Sequence, residues 1–582
     1  MYKGLQAFCL AVMLVGLDSC KKLDELPDNR TEIDNYEKVR LLLTSAYPVA
    51  TPAVVCELSG DNYVDDNVVV TATHNDPYEK FHEEAYQWRD INNYSINSDD
   101  TPYQTWEAYY AGISVCNHAI AAMQEMSEDP AHDADLAHSW GEAHVLRAYL
   151  HFVLVNTFAE CYKNEALSSQ DRGIPYVTIP ETTVQVDYST SEFLHNVKET
   201  YDLIENDLLT GIDLIDDSKY KVPAYHFNRN AANAFAARFY LFKRDYAKTI
   251  FYADRALGQD PTSSRSMLRN WAGINPNTID SRLNDYNDPL APCNFLIQST
   301  YSLQDRMLSA CRYAINDGTT FTTPQGQSWT VPSTLKILIT GGGPNWSGYL
   351  PAFDGHLFIF GGQEYGVWLF RVYEYFEYTD KIAGIGYVHM LYQPFTADET
   401  ILCRAEAKLY QGDQAGAIRD LDLWTQSHMV TSPLTLTGIK NKYKRTANTA
   451  NDPFFKDPNQ WVSNLHPAEM GFTKVLTGDD LSVLDCILHF RRIETMFEGQ
   501  RWYDIKRYGM TVYHHYRGAN EDQIHTDSIT WNDPRRVLQL PNNVIEAGYP
   551  ANRDRGSFGG GGGGGYQVSP VLQNKPIQYQ TK

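Results

Sequence analysis

The chain has 582 residues and a formal net charge of −23, with a pI near 5.1. That acidity excludes a grip on nucleic acid and electrostatic docking on anionic lipid, while the length allows a large buried core and more than one domain. Nine cysteines stand without a CxxC pair or zinc-ligand spacing, which excludes a disulfide framework or a zinc site and leaves most of them as small buried apolar residues.

The N-terminus opens on Met1-Tyr2-Lys3 and continues into eleven apolar residues from Ala7 to Leu17. This is a signal-peptide core, too short to span a bilayer. It ends in Leu17-Asp18-Ser19-Cys20, which resembles the lipobox of bacterial lipoproteins, with Asp18 standing where a small or apolar residue is usual. The resemblance implies that residues 1–19 are a signal peptide and that Cys20 takes a diacylglycerol and becomes the new N-terminus. Two or three acyl chains hold a protein stably at a membrane. Residues 20–30, with Lys21-Lys22-Leu23-Asp24-Glu25, then read as lipidated Cys and polar tether.

An irregular stretch follows, carrying Asp61-Asn62-Tyr63 and then Trp88, Asn92, Asn93 and Tyr94. Rings beside amides suit stacking on a polar ligand. Asp61, Asp65 and Asp66 lack the spacing, glycine and distal glutamate of a calcium loop, so a solvated loop is expected there. Helical pairs come next. Trp106–Met126 and Trp140–Phe158 predict one antiparallel pair, and Asn230–Leu257 a second with a polar turn at Lys243-Arg244-Asp245. Ala397–Trp424 repeats the second scheme: placing Asp245 on Asp413 aligns Ala237 with Ala405, Leu241 with Leu409, Phe242 with Tyr410 and Ile250 with Ile418. Small residues at a helix crossing and an aromatic before the turn resemble tetratricopeptide hairpins.

Between these hairpins the insertion 259–394 is rich in Gly, Pro, Asn and aromatics, with β-like runs around Trp329 and Leu357. Its Gly341-Gly342-Gly343 is no phosphate loop, because no Lys-Ser or Lys-Thr follows. A long elaborated insertion in a helical scaffold is the expected seat of binding, and Trp329, Trp346 and Tyr349 are its candidate stacking residues. Farther on, His514-His515 are adjacent rather than one helical turn apart, so no shared metal is expected. The seven glycines of 559–565 read as a flexible link.

The block His489–Met510 interleaves Arg491, Arg492, Glu494, Glu498, Arg501, Asp504 and Arg507 with Ile493, Met496, Phe497, Trp502, Tyr503 and Ile505. It predicts a helix, a break at Gly499 and a second helix. Glu494 and Glu498, one turn apart, invite the reading of a catalytic acid pair. Flanking arginines favour ionised acids over proton donors, so the expected role is structural, each acid neutralised by a nearby Arg.

Four blocks resemble the SusD/RagB family of Bacteroidetes outer-membrane lipoproteins. RRIETMFEGQRWYDIKRYG is similar to its C-terminal signature; the signature residues are Arg491, Glu494, Glu498, Gly499, Arg501, Trp502, Asp504 and Arg507. GEAHVLRAYLHFVLVNTF, followed by Arg172-Gly173-Ile174-Pro175, resembles the N-terminal helix and the loop to its "GIP", with Ala159 where Gly is commoner. ETILCRAEAKLYQGD resembles a late tetratricopeptide helix, and LQLPNNVIEAGYPANR the closing segment, with Leu540 and Asn542 departing from the usual residues.

The resemblance implies a mainly α fold of four tetratricopeptide-like hairpins, a SusD-like α-α superhelix with a partly β ligand-binding insertion. An N-terminal SusD-like region would span 31–230 and a C-terminal RagB/SusD region 231–582. It implies no catalysis; separately, no cofactor is expected and the residue spacing assigns no metal ligand. The implied partner is a SusC-like TonB-dependent transporter, over which such proteins act as a lid, lipid-anchored on the outer membrane and facing the exterior. The implied ligand is an oligosaccharide or polysaccharide, with peptide capture as the alternative. A surface glycoside hydrolase and a pure interaction scaffold are the remaining readings. Candidate ligand contacts are Tyr63, Trp88, Asn92, Tyr94, Trp329, Trp346 and Tyr349, and Cys20 is the lipidation site.

Overall fold

The computed structural model describes residues 33–65, 80–94, 98–180, 190, 192–275, 279–305, 312–315, 320–322, 328–330, 370–428, 433–443, 464–517 and 524–555. Among the helices of the described residues, nine carry the features below: α1 Pro102–Met126, α2 Ala137–Phe158, α3 Val197–Gly211, α4 Arg229–Lys243, α5 Tyr246–Leu257, α6 Ala397–Tyr410, α7 Gln414–His428, α8 Gly478–Glu494 and α9 Gln500–Tyr508. No helix among the described residues is long and apolar enough to cross a membrane.

Local chemistry sets the helix ends. Thr101 accepts from the Gln104 N–H and Pro102 fills the first turn of α1, where its missing N–H costs nothing. Asn228 caps α4, Arg244 ends it in the left-handed region at φ 65°, and Asp245 accepts from the Lys248 N–H to start α5. Two residues thus reverse the chain. The α6–α7 turn repeats this chemistry: Gly412 takes φ 87° and Asp413 accepts from the Gly416 N–H at 2.8 Å. Asp245 and Asp413 therefore occupy equivalent capping positions, and the residues aligned with them follow, since Ala237, Ala405, Leu241 and Leu409 are all fully buried.

Close helix packing is carried by small residues. A Cβ placed on Gly211 at the end of α3 would lie 2.4 Å from the Gly141 carbonyl oxygen of α2, so no larger residue fits that crossing. One contiguous hydrophobic core runs from Ala46 to Tyr549 and joins residues on both sides of position 230. Cys56, Cys116, Cys161, Cys293, Cys403 and Cys486 are buried and free, as their scattered spacing suggests. Cys311 lies outside the described residues.

A three-stranded antiparallel sheet stands on this scaffold: β1 Asn294–Thr300, β2 Glu374–Asp380 and β3 Ile385–Thr396, in the order β1-β3-β2. β3 runs without a linker into α6, where Thr396 accepts from the Glu399 N–H. Its inner end is buried: the Phe395 ring packs 5.4 Å from Tyr149 and 5.8 Å from Phe235. The outer end of the β2–β3 hairpin is exposed, and its turn leaves Ile382 wholly in solvent. A second hairpin pairs β4 Val512–Arg517 with β5 Ile524–Ile529. Short two-stranded pairings join 64–65 to 313–314 and 320–322 to 328–330.

Candidate functional site

Two members of the first cluster expected to bind ligand, Trp88 and Tyr63, are core. Trp88 is 1% exposed, its Nε1 donates to the Ser59 carbonyl at 2.9 Å, and its ring stacks 4.0 Å from His514. Tyr86 stacks on the same imidazole at 4.1 Å. Tyr63, also 1% exposed, meets Phe497 edge-on at 6.0 Å. Both expectations are corrected: neither ring has a free face for a ligand, because each is covered by C-terminal residues. His514 is occupied by these rings, with its nitrogens 2.6 Å from the Tyr86 and Gly60 carbonyls, while His515 turns to Thr526.

Asn92 and Tyr94 fare differently. Asn92 is exposed, its backbone N–H donates to Glu84, and its side-chain oxygen accepts from Asn542 at 3.1 Å. Tyr94 is half-buried, with its ring 6.4 Å from Tyr103. Asp100 follows at φ 64°, and its carboxylate accepts from the Leu303 N–H at 2.8 Å, which ties this loop to the chain leaving β1. Trp329 lies on the short strand 328–330, in register with Phe321. Trp346, Tyr349 and Cys20 lie outside the described residues, as do Asp66 and the run 559–565.

The expected solvated acidic loop is a buried ion-pair site. Asp61 accepts from Arg501 Nε at 2.8 Å and Nη2 at 2.7 Å, with Arg492 beside it. Burial alone would raise the Asp61 carboxyl, yet the two guanidiniums hold it well below the usual carboxylate range. Asp65 is fully buried and accepts two hydrogen bonds from Arg312, at 2.8 and 2.6 Å. Acids spent on arginines are poor calcium ligands.

The arginines of the charged block lie in buried ion pairs, and Asp504 is neutralised by two of them, while Glu494 and Glu498 depart from that expectation. Arg491 donates to Asp504 at 2.9 Å and to Glu399 at 3.0 Å. Arg507 donates to Glu406 at 2.9 and 3.1 Å and to Asp504 at 2.7 Å. Gly499 sits at φ 73° between the two helices, with its N–H donating to Glu57 at 3.0 Å. Trp502 is fully buried. Glu494, however, is not neutralised by a flanking arginine: it accepts from Trp424 Nε1 at 2.9 Å and lies 3.0 Å from His428 Nε2.

Glu498 has no such clamp. Burial pushes its carboxyl up to about 8, with the Arg371 charge working against the shift. Nor do the two glutamates share a helical turn, because α8 ends at Glu494 and Phe497 takes φ 71°. Glu498 lines a cavity of about 10 Å³ walled by Tyr286, Arg371, Tyr392 and Phe497. That is room for about one water, and a sugar ring does not fit.

A surface that sequence reasoning did not resolve stands on the sheet. Tyr373, Tyr375, His389, Tyr387 and Tyr301 form a track of neighbouring rings. Successive ring centroids are 5.9, 5.6, 6.2 and 5.2 Å apart. The register explains it: Tyr375 pairs with His389 and Glu377 with Tyr387, so period-two alternation brings these side chains to one face. Tyr301 is 40% exposed, and the other four are half-buried. Polar groups flank the rings. Tyr387 Oη donates to Glu377 Oε2 at 2.8 Å, and Asn287 donates to the Tyr375 hydroxyl at 3.3 Å. The signal was present in YEYFEY at 373–378, where Tyr, Tyr and Glu could have been assigned to one sheet face at every second position.

The scaffold and this face define a class: a helical-hairpin protein presenting a ring-lined sheet, able to hold a polar ligand by stacking and hydrogen bonds. Residues 21–241 match the SusD-like family described as "Starch-binding associating with outer membrane". In fold, the chain is similar to a putative sugar binding protein from Bacteroides vulgatus, with 17% identity, TM-score 0.57, and coverage of 90% of this chain and 100% of that one. A SusD-like carbohydrate binding protein from the same organism aligns at 15% identity and TM-score 0.52, over 88% of this chain and 97% of the other. A laminarin binding SusD-like protein aligns at 15% identity and TM-score 0.52, over 89% and 98%. No curated protein matches the sequence. The chain is thus SusD-like in sequence over residues 21–241, and its fold is the SusD-like helical superhelix.

Proposed function

We propose that this protein is a surface lipoprotein that captures oligosaccharide or polysaccharide nutrients and passes them to a SusC-like TonB-dependent transporter, acting as its lid. The observation that carries the reading is the five-ring track from Tyr373 to Tyr301, flanked by Glu377 and Asn287. Sugar rings offer C–H faces to aromatics and hydroxyls to carboxylates and amides. Each such hydrogen bond replaces one with water and contributes only about 0.5–1.5 kcal/mol net, so stacking must supply much of the affinity. Asn92, Tyr94, Trp329, Trp346 and Tyr349 are further contacts in this proposal.

Support for the glycan comes also from the sugar-binding and laminarin-binding names of proteins with the same fold. The outer-membrane description of the family supports the location, and the lipobox-like Leu17–Cys20 supports an anchor at Cys20 that leaves the domain facing outward. The reading includes no catalytic step. Glu494 is held by Trp424 and His428, and Glu498 lines a cavity too small for a saccharide.

The test is a glycan array probed with the full-length protein in a sugar-free detergent, beside a peptide library and a product assay on each retained polysaccharide. Retention of a glycan without chain cleavage is expected. Retention of peptides with no glycan bound rejects the reading, and so does release of shorter saccharides.

A further inference from the structure

We infer that the ring track selects uncharged saccharides and rejects those bearing carboxylates or sulfates. The inference deepens the proposed glycan-binding reading and rests on it. Its basis is the placement of Glu377. This residue is exposed, stands on the ring-bearing face opposite Tyr387, and takes the Tyr387 hydroxyl on one oxygen at 2.8 Å. The Tyr301 and Tyr387 rings meet at 88°, so a saccharide stacked on the Tyr387 face, with Tyr301 against its side, meets the Glu377 carboxylate at its edge. Glu377 can accept hydrogen bonds from sugar hydroxyls, and the Tyr387 donor is already committed to it.

The surrounding charge has the same sign. From 373 to 396 the hairpin carries Glu377 on the ring face, Glu374 on the opposite face and Asp380 at the end of β2, against a single permanent cation, Lys381, with His389 in the track itself. Lys381 sits in the exposed turn beyond the rings, while Glu377 pairs directly with a track residue. Asp380 ends β2 at that turn, its carboxylate accepting the Ile382 and Ala383 N–H groups. The chain as a whole has a net charge of −23, so its long-range field also repels anions. Recognition of uronates or sulfates calls for arginine forks or lysines aimed at the ligand. The hairpin's own residues offer an acceptor instead.

The experiment compares one neutral polysaccharide that the protein retains with its partly carboxymethylated derivative, so that backbone and linkage stay the same. Full-length wild type and the Glu377→Gln and Glu377→Lys variants are titrated with both polymers at low and high salt. Wild type should prefer the neutral polymer by about tenfold at low ionic strength, a margin that shrinks as salt screens the charge. Glu377→Gln should narrow that margin at least threefold, and Glu377→Lys should narrow it further or reverse it. Equal or tighter binding of the carboxymethylated polymer by wild type overturns the selectivity while leaving glycan capture standing. An unchanged margin in Glu377→Lys also overturns it. Absence of any polysaccharide binding, with the melting curve of wild type intact, overturns the glycan reading itself and this inference with it.

Discussion

Asp61 and Arg501 form a two-bonded carboxylate–guanidinium pair across 440 residues of chain, at 2.8 and 2.7 Å. Arg501 is 2% exposed, and the same carboxylate also faces Arg492. The pair fastens an N-terminal loop to the first turn of α9, beside Gly499, whose N–H is held by Glu57.

Removing Arg501 leaves the Asp61 carboxylate with only the longer 3.6 Å contact to Arg492, so the cost is up to the roughly 3–5 kcal/mol of a broken buried pair. Arg501→Ala should therefore destabilise the fold by that order in chemical denaturation. Arg501→Lys should recover only part of the loss, since an ammonium cannot reproduce the planar two-bond geometry. A loss below about 1 kcal/mol for Arg501→Ala would show that the clamp contributes little.

Glu498 sets a pH dependence. Its carboxyl is raised from 4.5 to about 8, so between those values the folded protein keeps a proton that the unfolded chain has released. Stability must then fall as pH rises through this window, by an amount on the order of a few kcal/mol. Glu57 and Asp100, each raised to about 7, add to the same slope over a narrower range. Glu498→Gln should remove one share of the decline. Melting temperatures taken from pH 5 to 8 should therefore converge on or exceed wild type toward the alkaline end. A variant that loses stability more steeply with pH than wild type would refute this assignment.

Trp88 should behave as core. Its indole lies against His514 and donates to Ser59, and truncation to Ala is expected to cost about 3–5 kcal/mol. Trp88→Phe, where folded, should hold any glycan ligand within about twofold of wild type, because the ring faces no solvent. A selective affinity loss with unchanged stability would return Trp88 to the binding surface.

The ring track should show the opposite pattern. Tyr301→Ala and Tyr387→Ala are expected to lower glycan affinity about tenfold each. Exposed Tyr301 should change stability by only about 0.5 kcal/mol. Tyr387→Phe keeps the ring and removes the hydrogen bond to Glu377, so it separates stacking from hydrogen bonding. Calorimetric titration beside thermal melts reads both quantities, and unchanged affinity in all three variants would dismiss this face as the site.

Local rules carried much of the fold into view. Asp245 and Asp413 declare their hairpins because a capping carboxylate acts on N–H groups only three residues away. Gly499 declares the break between α8 and α9 because its φ of 73° is one that side-chain-bearing residues rarely adopt. The Glu494 partners were not legible. Trp424 and His428 lie some seventy residues upstream, and nothing near Glu494 in sequence announces them.

The amino-acid sequence by itself determined the helical hairpins, the break at Gly499 within the charged block and the scattered buried cysteines. Each depends on periodicity, capping or composition, which act over a few residues. Only the tertiary structure decided which rings face solvent. Trp88 and Tyr63 share their composition with ligand platforms, yet chain ends more than 400 residues away fold over them. Tyr387 stands on its face through the hairpin register with Glu377, and Tyr301 reaches it because the distant strand β1 pairs with β3 and ends beside it.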